Sequence, residues 1–542
     1  MSKSKQSIIK ICYKKKGRIS MKKRNFKKSV VLMLASAMLV PLCSCGTPKS
    51  KGEYTEDGRM IITIANSSAI NDNTPVEQYL EEKYNVEIKT YGFSANYYDK
   101  LATMIASKEI PDVMFINDIS NWEPLAKQGA LASIDIETIK KAAPDHYNHI
   151  NETNEKMWNL GKVNGELYAI PKTMGTEYNT VMWWNKNWLD AVGITKVPET
   201  IEECEVAFDK IVNNDPDGNG KKDTYAISGI GGNYYRQFDW VFGAYGVMPE
   251  MWMLDEDGNV INGTVTPQAK EALTTLNEWY GKGYINPEFL TDNQNTIVTR
   301  FNKDGIAVTN TGFMNYSELT PEGRINLAQE SPEFAEKLTY GPLPSGPNGD
   351  RGDWLWGPLS NFVCFGNQLQ DDTEKQEVIL KILNDLNYDE ETALMAAYGI
   401  KGESYEYYDE AQGKQSGIKQ IDNYGVDTNK NAEMGIGFFN LLKCGSWADK
   451  SVSDLYRNPE FLKQQEDIAS SNNYKDLLMR ANLPSTMIYA PTLQNLKIQA
   501  YSEFINGTRN LDDWDNFVEE YMNAGGAVLQ QEAQKYYETV IK

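Results

Sequence analysis

The sequence is poor in the residues and motifs that many enzymes use for catalysis. Only two of its 542 residues are histidines, and they form an isolated H-x-x-H, His146 and His149, with no glutamate at the spacing of a zinc protease. No G-x-S-x-G, Walker A or G-x-G-x-x-G pattern occurs. These absences disfavour serine hydrolases, nucleotide-binding enzymes and histidine-based zinc enzymes. A glycosidase with paired carboxylates stays open, because acidic residues are abundant.

Cysteines are few, and half of the six lie near the amino terminus. The three others, Cys204, Cys364 and Cys444, are an odd number at wide spacing, which predicts neither a disulfide framework nor a C-x-x-C metal site. Cys204 falls on an apolar stripe at helical spacing. We therefore expect it to be a small core residue.

No apolar run is long enough to span a bilayer, which takes about 20 residues, but a shorter one lies near the start. Val30–Leu42 has 13 residues and follows the basic stretch MKKRNFKK that begins at Met21. This is the pattern of a secretory signal peptide. The run ends in LCSCG, with Leu42 and Ser44 at the third and first positions before Cys45.

This ending resembles the lipobox of bacterial lipoproteins, in which the cysteine is acylated and becomes the mature amino terminus. We expect residues 1–44 to be the signal region, with Met21 as the true start, and residues 45–58 to hold the lipidated Cys45 and a polar linker. The protein would then lie on the outer face of the bacterial cell membrane, held by lipid alone. The alternative is a generic signal peptide that happens to contain cysteine.

Basic residues predominate only in this amino-terminal segment of the chain. Residues 1–44 hold 12 Lys and Arg and no Asp or Glu, so the rest has 42 basic against 75 acidic residues. Such an acidic body repels phosphate backbones. The charge therefore argues against nucleic acid as a partner.

Strand and helix patterns alternate at the start of the body. MIITIAN, NVEIKTYGF and IPDVMFI are typical of strands, and the intervening segments of helices, the first with a capping box from Thr74 to Glu77. This β-α-β-α-β order predicts an open α/β sheet. Ligands of such sheets bind at the loops beyond the carboxyl ends of the strands. The ligand contacts predicted there are Ser67, Asn71, Asp118 and Trp122.

A second α/β unit follows the segment ELYAIPK. TVMWWN and DGIAVTN are typical of strands, and PETIEECEVAFDKIV of a helix with a capping box from Thr200 to Glu203. Two such units in succession predict two lobes with a cleft between them.

Several long stretches are similar to the family 1 extracellular solute-binding proteins of ABC importers, in particular the LipO-type lipoproteins that include oligosaccharide binders. They are ASKEIPDVMFI, LAKQGALASID, ELYAIPK, WWNKNWLDAVGITKVPETIEE, NNDPDGNGKKDTYAISG, DEDGNVINGTVTPQAKEALTTLNEWYGKGYINPEF, YGIKGESYEYY and EFINGTRNLDDWDNFVEEYMNAGG. The resemblance covers about residues 60–530. It implies a two-lobed, type II periplasmic-binding-protein-like fold that closes on its ligand.

The resemblance also implies the division of the chain and its partners. Lobe 1 would comprise residues 59–174 plus about 360–445, and lobe 2 about 175–359 plus 446–542. The expected partners are an oligosaccharide and the permease subunits of an importer with a cytoplasmic ATPase. We expect the protein to be a monomer.

Aromatic residues are plentiful, with 12 Trp and 31 Tyr. Their rings match the flat C–H faces of sugars and tolerate hydroxyl groups at the rim. Five tryptophans have apolar neighbours in strand or helix patterns and are expected in the core: Trp183, Trp184, Trp188, Trp279 and Trp514. The predicted ligand contacts, in polar loops or at the crossovers that the resemblance implies, are Trp122, Trp240, Trp354, Trp356, Glu177, Tyr178 and Tyr316.

The loop DPDGNGKKD, residues 215–223, has the spacing of an EF-hand-type calcium site. Its predicted ligands are Asp215, Asp217, Asn219, the carbonyl of Lys221, and Asp223. The twelfth position, normally a bidentate glutamate, is Ala226, which predicts weaker binding. Family members with calcium at the matching loop support a structural calcium ion; a solvated acidic turn is the alternative.

We therefore predict a membrane-tethered binding protein for oligosaccharides, without catalytic activity. A surface glycoside hydrolase or lyase, and a binder of peptides or other polar solutes, are the alternatives that the sequence leaves open.

Overall fold

The computed structural model describes residues 54–117, 119–173, 180–230, 237–303, 305–312, 337–355, 359–425, 427–439, 463 and 474–542. The strands of these residues are β1 Met60–Asn66, β2 Val86–Gly92, β3 Val113–Ile116, β4 Lys162–Val163, β5 Glu166–Leu167, β6 Ala169–Thr173, β7 Thr180–Asn185, β8 Trp252–Leu254, β9 Val260–Asn262, β10 Val308–Gly312, β11 Leu338–Gly341, β12 Trp354–Leu355, β13 Leu359–Phe365, β14 Tyr405–Tyr407, β15 Ile418–Gln420 and β16 Tyr474–Lys475.

The α-helices of the same residues vary from one and a half turns to nearly six. They are α1 Pro75–Tyr84, α2 Tyr97–Ala106, α3 Ile119–Lys127, α4 Ile136–Ala142, α5 Pro144–Asn154, α6 Lys186–Ala191, α7 Ile201–Asn213, α8 Asp239–Ala244, α9 Pro267–Gly281, α10 Gln294–Asn302, α11 Thr373–Tyr388, α12 Glu390–Tyr398, α13 Thr428–Met434, α14 Thr486–Asn506, α15 Trp514–Tyr521 and α16 Ala527–Tyr536. Within the described ranges, none combines the length and apolar character that crossing a bilayer requires.

The first sheet has the order β2-β1-β3-β13-β6, and its first three strands run parallel, as the sequence predicts. The helix between β1 and β2 begins where the sequence indicates: the side chain of Thr74 accepts a hydrogen bond from the backbone of Glu77, and Pro75 occupies the first turn. Strand β13 returns much later in the chain and runs antiparallel to both of its neighbours.

The second sheet has the order β10-β7-β11, and both outer strands run antiparallel to β7. The predicted strand TVMWWN forms in full as β7, whereas only the last three residues of DGIAVTN belong to β10. The two strands pair directly and in opposite directions. Helix α7 also forms as predicted, with the Thr200 side chain accepting from the backbone of Glu203 at 3.1 Å. The second lobe is thus α/β without a parallel β-α-β repeat between these strands.

Two separate hydrophobic cores divide the chain. One collects buried residues between Met60 and Ile170, between Leu359 and Phe439, and Met479. The other collects buried residues between Met182 and Leu343 and between Leu478 and Ala533. The chain therefore passes from one core to the other between Thr173 and Thr180 (the first crossover), between Leu355 and Leu359 (the second crossover), and between Phe439 and Tyr474; the exact lobe boundaries stay a prediction.

Both histidines hold the strand that leads to the first crossover. His146 and His149 of α5 are buried, and their Nε2 atoms lie 3.1 Å from the carbonyl oxygen of Pro171 and 2.8 Å from Oγ1 of Thr173. Thr173 is the last residue of β6. The H-x-x-H pattern is thus a structural contact between a helix and β6.

The free cysteines of the described residues, Cys204 and Cys364, are both fully buried. Burial raises the pKa of each thiol well above its ordinary value. The prediction that Cys204 is a core residue is confirmed. Cys45 and Cys444 lie outside the described residues.

Candidate functional site

The parallel strands β1 and β3 end at the edge of the first sheet where ligands of α/β proteins gather. At this edge Asn66 is fully buried, with its Nδ2 donating to the carbonyl of Phe438 at 2.8 Å and its Oδ1 accepting from the backbone of Ser67. Ser67 itself is exposed, as is Asn71, whose backbone N–H donates to Ala432. Both predicted contacts therefore lie in open loops; Asp118 lies outside the described residues.

Trp122 of α3 lies in the first core and not on its surface. Its side chain is 1% exposed and packs on Phe362, with ring centroids 5.7 Å apart. The structure contradicts a stacking role for this ring, because neither face is open to a sugar. Its Nε1–H has no hydrogen-bond partner among the described residues and is the part still available as a donor.

Trp240 is the second predicted contact that the structure contradicts. It belongs to helix α8, is 1% exposed, and packs on Trp279 at a centroid distance of 5.7 Å. Its Nε1 donates to the carbonyl of Gln237 at 2.9 Å, so its polar atom is also in use. The polar neighbours that indicated a loop occupy other faces of a short helix whose indole points into the core. Trp240 is a core residue.

The tryptophans that the sequence assigns to the core are buried. All five, Trp183, Trp184, Trp188, Trp279 and Trp514, are at most 4% exposed. That prediction is confirmed.

Trp354 is half-buried on β12, directly before the second crossover. Its backbone N–H donates to Oδ1 of Asp353 at 2.7 Å, and β12 pairs in parallel with β16. Tyr474 of β16 in turn donates its hydroxyl to the carbonyl of Gly243 at 2.8 Å. The backbone of this tryptophan is therefore fixed on both sides, which suits a ring that must be preorganised for a ligand.

Close backbone packing holds the segment before Trp354 against helix α8. A Cβ on Gly243 would lie 2.0 Å from the carbonyl oxygen of Gly352, so a glycine is required at this approach. The remaining predicted contacts, Trp356, Glu177, Tyr178 and Tyr316, lie outside the described residues.

Asn310 is a residue near the crossovers that the sequence analysis missed. It is 6% exposed on β10, and its Nδ2 lies 3.4 Å from Oδ2 of Asp353. The signal in the sequence is the single amide side chain in the strand VTNTG. Periodicity alone does not separate such a residue from an ordinary solvent-facing position of a strand.

The loop at residues 215–223 closes on its own side chains. Gly220 N–H donates to Oδ2 of Asp215 at 2.9 Å, and the amide Nδ2 of Asn219 bridges Asp217 and Asp223 at 2.7 and 3.0 Å. The neighbouring side chain of Asp217 keeps the pKa of Asp215 below its usual value, whereas burial and then Asp215 raise the pKa of Asp217. Acidic side chains thus crowd one small loop.

The donor set of this loop fits a calcium ion in part. Oδ1 of Asp215 is buried without a hydrogen-bond partner among the described residues, and the Asn219 amide N–H stands between two carboxylates where a cation would be favourable. No three acidic, histidine or cysteine side chains of the described part converge as a metal site. Amide and carbonyl oxygens would have to complete the shell, because Ala226 at position 12 is buried and offers no carboxylate.

A cavity of about 1040 Å³ opens at the opposite edge of the first sheet, by the start of β3. Its floor is a buried ion pair between Asp112 and Lys375 at 2.9 Å. Asp112 also accepts from the backbone and hydroxyl of Thr63, and from Gln368. These groups satisfy one another and join strands to helix α11, so we interpret the cavity floor as structural.

Comparison with known proteins gives the family. The profile of bacterial extracellular solute-binding proteins matches residues 67–361. The chain belongs to this family. It is a family of solute-binding proteins, so the chain is a binding protein and not an enzyme.

Two of the relatives extend the similarity over nearly the whole chain. Lipoprotein LipO of Bacillus subtilis is 26% identical, over 96% of this chain and 100% of its own. The fructooligosaccharide ABC transporter substrate-binding protein FusA of Streptococcus pneumoniae is 25% identical over 52% of this chain and 56% of its own. The polygalacturonan/rhamnogalacturonan-binding protein YtcQ of Bacillus subtilis is 21% identical over 94% and 97%.

Solved structures of FusA share the fold. FusA in complex with kestose superposes with a TM-score of 0.63 at 18% identity, over 88% of this chain and 98% of FusA. An EF-hand mutant of FusA in complex with fructo-nystose gives 0.64 at the same identity and coverage. The predicted two-lobed α/β binding-protein fold is confirmed.

Proposed function

We propose that the protein is the membrane-anchored capture component of an ABC importer for oligosaccharides. It binds the sugar between its two lobes and delivers it to permease subunits served by a cytoplasmic ATPase. The observation that carries the proposal is the division of the chain into two separately cored lobes, with Trp354 and Asn310 beside the crossovers. Relatives that bind fructooligosaccharides and pectic polysaccharides support a carbohydrate ligand.

Calorimetric titration of the purified chain tests the choice of ligand. We expect saturable binding of one oligosaccharide per chain and no binding of peptides of similar size. Capture of peptides alone would overturn the carbohydrate assignment. Sugar that is shortened on prolonged incubation, followed by chromatography, would instead support the glycoside hydrolase or lyase alternative.

The membrane anchor is part of the proposal. The lipobox-like LCSCG supports acylation of Cys45, as does the similarity to a lipoprotein over the full length of that relative. Mass spectrometry of the amino-terminal peptide should show a lipid-modified Cys45, and a Cys45→Ser variant should lose membrane association. An unmodified cysteine in a membrane-bound protein would contradict this anchor.

A structural calcium ion at residues 215–223 is the third part. Asp215, Asp217, Asn219, Asp223 and the carbonyl of Lys221 would hold it and neutralise the crowded carboxylates. The unpartnered Oδ1 of Asp215 supports this assignment, and a relative with the same fold has an EF-hand. The ion would tie the end of α7 to the segment that follows, and has no role in ligand chemistry.

A further inference from the structure

The side-chain oxygen of Asn310 is a buried acceptor without a donor. Asn310 is 6% exposed, and its Oδ1 has no hydrogen-bond partner among the described residues. Folded proteins rarely leave such a group unpaired, because its lost hydration is not replaced. An unpaired acceptor therefore needs an explanation, such as a ligand or a bound water molecule.

The orientation of the amide is set by its neighbour. Nδ2 of Asn310 faces Oδ2 of Asp353 at 3.4 Å, and the other oxygen of this carboxylate accepts from the backbone of Trp354 at 2.7 Å. Turning the amide over would bring two acceptors together. Oδ1 therefore points away from Asp353, and a single carboxylate orients both the amide and the tryptophan backbone.

Asn310 lies at the crossover end of its strand. In the β10–β7 pair it is opposite Met182, and Gly312 is opposite Thr180, the first described residue after the first crossover. Its partner Asp353 lies just before the second crossover. Val308, two residues earlier on the same face, still belongs to the second core. Met182, opposite Asn310, belongs to the same core, so Asn310 borders that core close to the end of the strand pair at Thr180.

An unpaired polar atom deep inside the core is a different case. Nε1 of Trp184 also lacks a partner among the described residues, but its ring packs on Phe208 and faces Val308 across the strand pair. Trp184 is also two positions farther from the first crossover along β7 than Met182, which is opposite Asn310. Asn310 differs from Trp184 in two respects: it lies close to both crossovers in the chain pairing, and its amide is oriented by Asp353.

We propose that Asn310 determines ligand specificity by accepting a hydrogen bond from a sugar hydroxyl group. Because Oδ1 and the neighbouring carboxylate of Asp353 are both acceptors, this position favours a donor and disfavours the carboxylate of a uronic acid. The captured oligosaccharide is therefore neutral at this position. The inference rests on the proposed capture of oligosaccharides and goes beyond it by naming a residue and a sugar class.

The test compares two asparagines of equal exposure in the same lobe. Asn262 is also 6% exposed, but both amide atoms are paired, with Thr264 N–H at 3.1 Å and the carbonyl of Glu250 at 3.3 Å. Asn310→Ala and Asn262→Ala are titrated in the full chain with neutral oligosaccharides, including kestose, and with oligogalacturonates of similar length. Thermal unfolding is measured on the same samples.

We expect Asn310→Ala to weaken binding of the preferred neutral sugar on the order of tenfold. The ratio of the affinity for this sugar to the affinity for oligogalacturonates should also fall. The unfolding temperature of Asn310→Ala should fall less than that of Asn262→Ala, because Asn310→Ala loses one long hydrogen bond to Asp353 and also removes a buried unpaired acceptor. Asn262→Ala should lower the unfolding temperature and leave affinity unchanged. If Asn310→Ala does not fold, Asn310→Leu, which fills nearly the same volume without an acceptor, is titrated in its place.

The outcomes separate this inference from the function on which it rests. Unchanged sugar affinity in a folded Asn310→Ala or Asn310→Leu variant would overturn the proposal and assign Asn310 to the structure of the lobe, with water as the donor. A wild-type preference for oligogalacturonates would refute the neutral class. Failure of every saccharide to bind would instead remove the proposed function.

Discussion

Trp354 is the side chain from which we expect the largest single contribution to sugar affinity. It is half-buried beside a crossover, and its backbone is fixed by Asp353 and by the β12–β16 pair. A ring on a fixed backbone loses little conformational freedom when it stacks against a sugar face. Trp354→Ala should therefore weaken binding at least tenfold, or about 1.4 kcal/mol, in calorimetric titration.

Trp252 offers a control for this substitution. It is also half-buried in the second lobe, but on the β8–β9 hairpin. Trp252→Ala should affect stability without changing affinity. Equal affinity of Trp354→Ala and wild type, in a folded variant, would remove this ring from the binding site.

Glu77 predicts an unusual pH dependence of stability. It is buried on α1, its Oε2 has no hydrogen-bond partner among the described residues, and burial raises its pKa from 4.5 to about 7. Between these values the folded state keeps a proton that the unfolded state has lost. The contribution of the protonated carboxyl to stability is therefore complete below pH 4.5 and is lost as the pH rises towards 7. The loss is at most about 1.4 kcal/mol for each pH unit in this window.

Glu77→Gln keeps this position neutral at every pH. We expect its unfolding temperature to exceed that of wild type by a margin that grows between about pH 5 and pH 8. Glu82→Gln, on the exposed face of the same helix, controls for the loss of one charge. A margin that is constant with pH would show that Glu77 titrates normally.

At the scale of elements, the local sequence pattern predicts that a strand or helix forms better than it predicts which strands pair with each other. Strand β1 forms over MIITIAN as predicted, and helices α1 and α7 begin at predicted caps, because burial and capping depend on neighbours in sequence. The pairing of β7 with β10 and β11 depends on residues more than a hundred positions later, so its antiparallel direction was not predictable. Trp240 was misassigned because a short helix places its indole in the core.

The calcium loop allows a prediction with an internal control. Wild type should lose several degrees of unfolding temperature when a chelator removes calcium, because the crowded carboxylates of residues 215–223 then repel one another. Asp215→Ala should abolish that difference between the two conditions. Thermal unfolding with excess calcium and with chelator measures both effects.

The turn at residues 255–259 is the control. It is equally acidic, but both carboxylate oxygens of Asp255 are paired, with the backbone of Asp257 and with the backbone and amide of Asn259. Asp255→Ala should lower stability by the same amount with and without calcium. If chelation leaves wild type unchanged, the loop is a solvated turn and carries no structural ion.

At the scale of the whole molecule, the two lobes also touch away from the crossovers. Ala481, Tyr536 and Ile541 pack against both cores. Nδ2 of Asn482 in the second lobe donates to Glu123 on α3 at 2.7 Å. The carboxyl-terminal segment therefore contacts both lobes. Any change in the arrangement of the lobes must change these contacts.

Ligand capture should accordingly change the compactness of the protein. A ligand shifts an equilibrium between lobe arrangements only by its preference for one of them, and a shift from 1:99 to 99:1 takes about 5.5 kcal/mol. We expect the radius of gyration, measured by small-angle X-ray scattering, to fall on titration with the preferred oligosaccharide. It should reach its plateau at the same sugar concentration as the heat of binding.

The Trp354→Ala variant tests whether the fall in the radius of gyration depends on this one side chain. If the ring stabilises the liganded arrangement, the variant should need more sugar but reach the same final radius at saturation, because its remaining contacts with the sugar still favour that arrangement. Heat of binding without any change in radius would mean that the sugar is held by one lobe alone. A variant that binds but stops at a larger radius would place Trp354 in the coupling between the lobes, and not only in contact with the sugar.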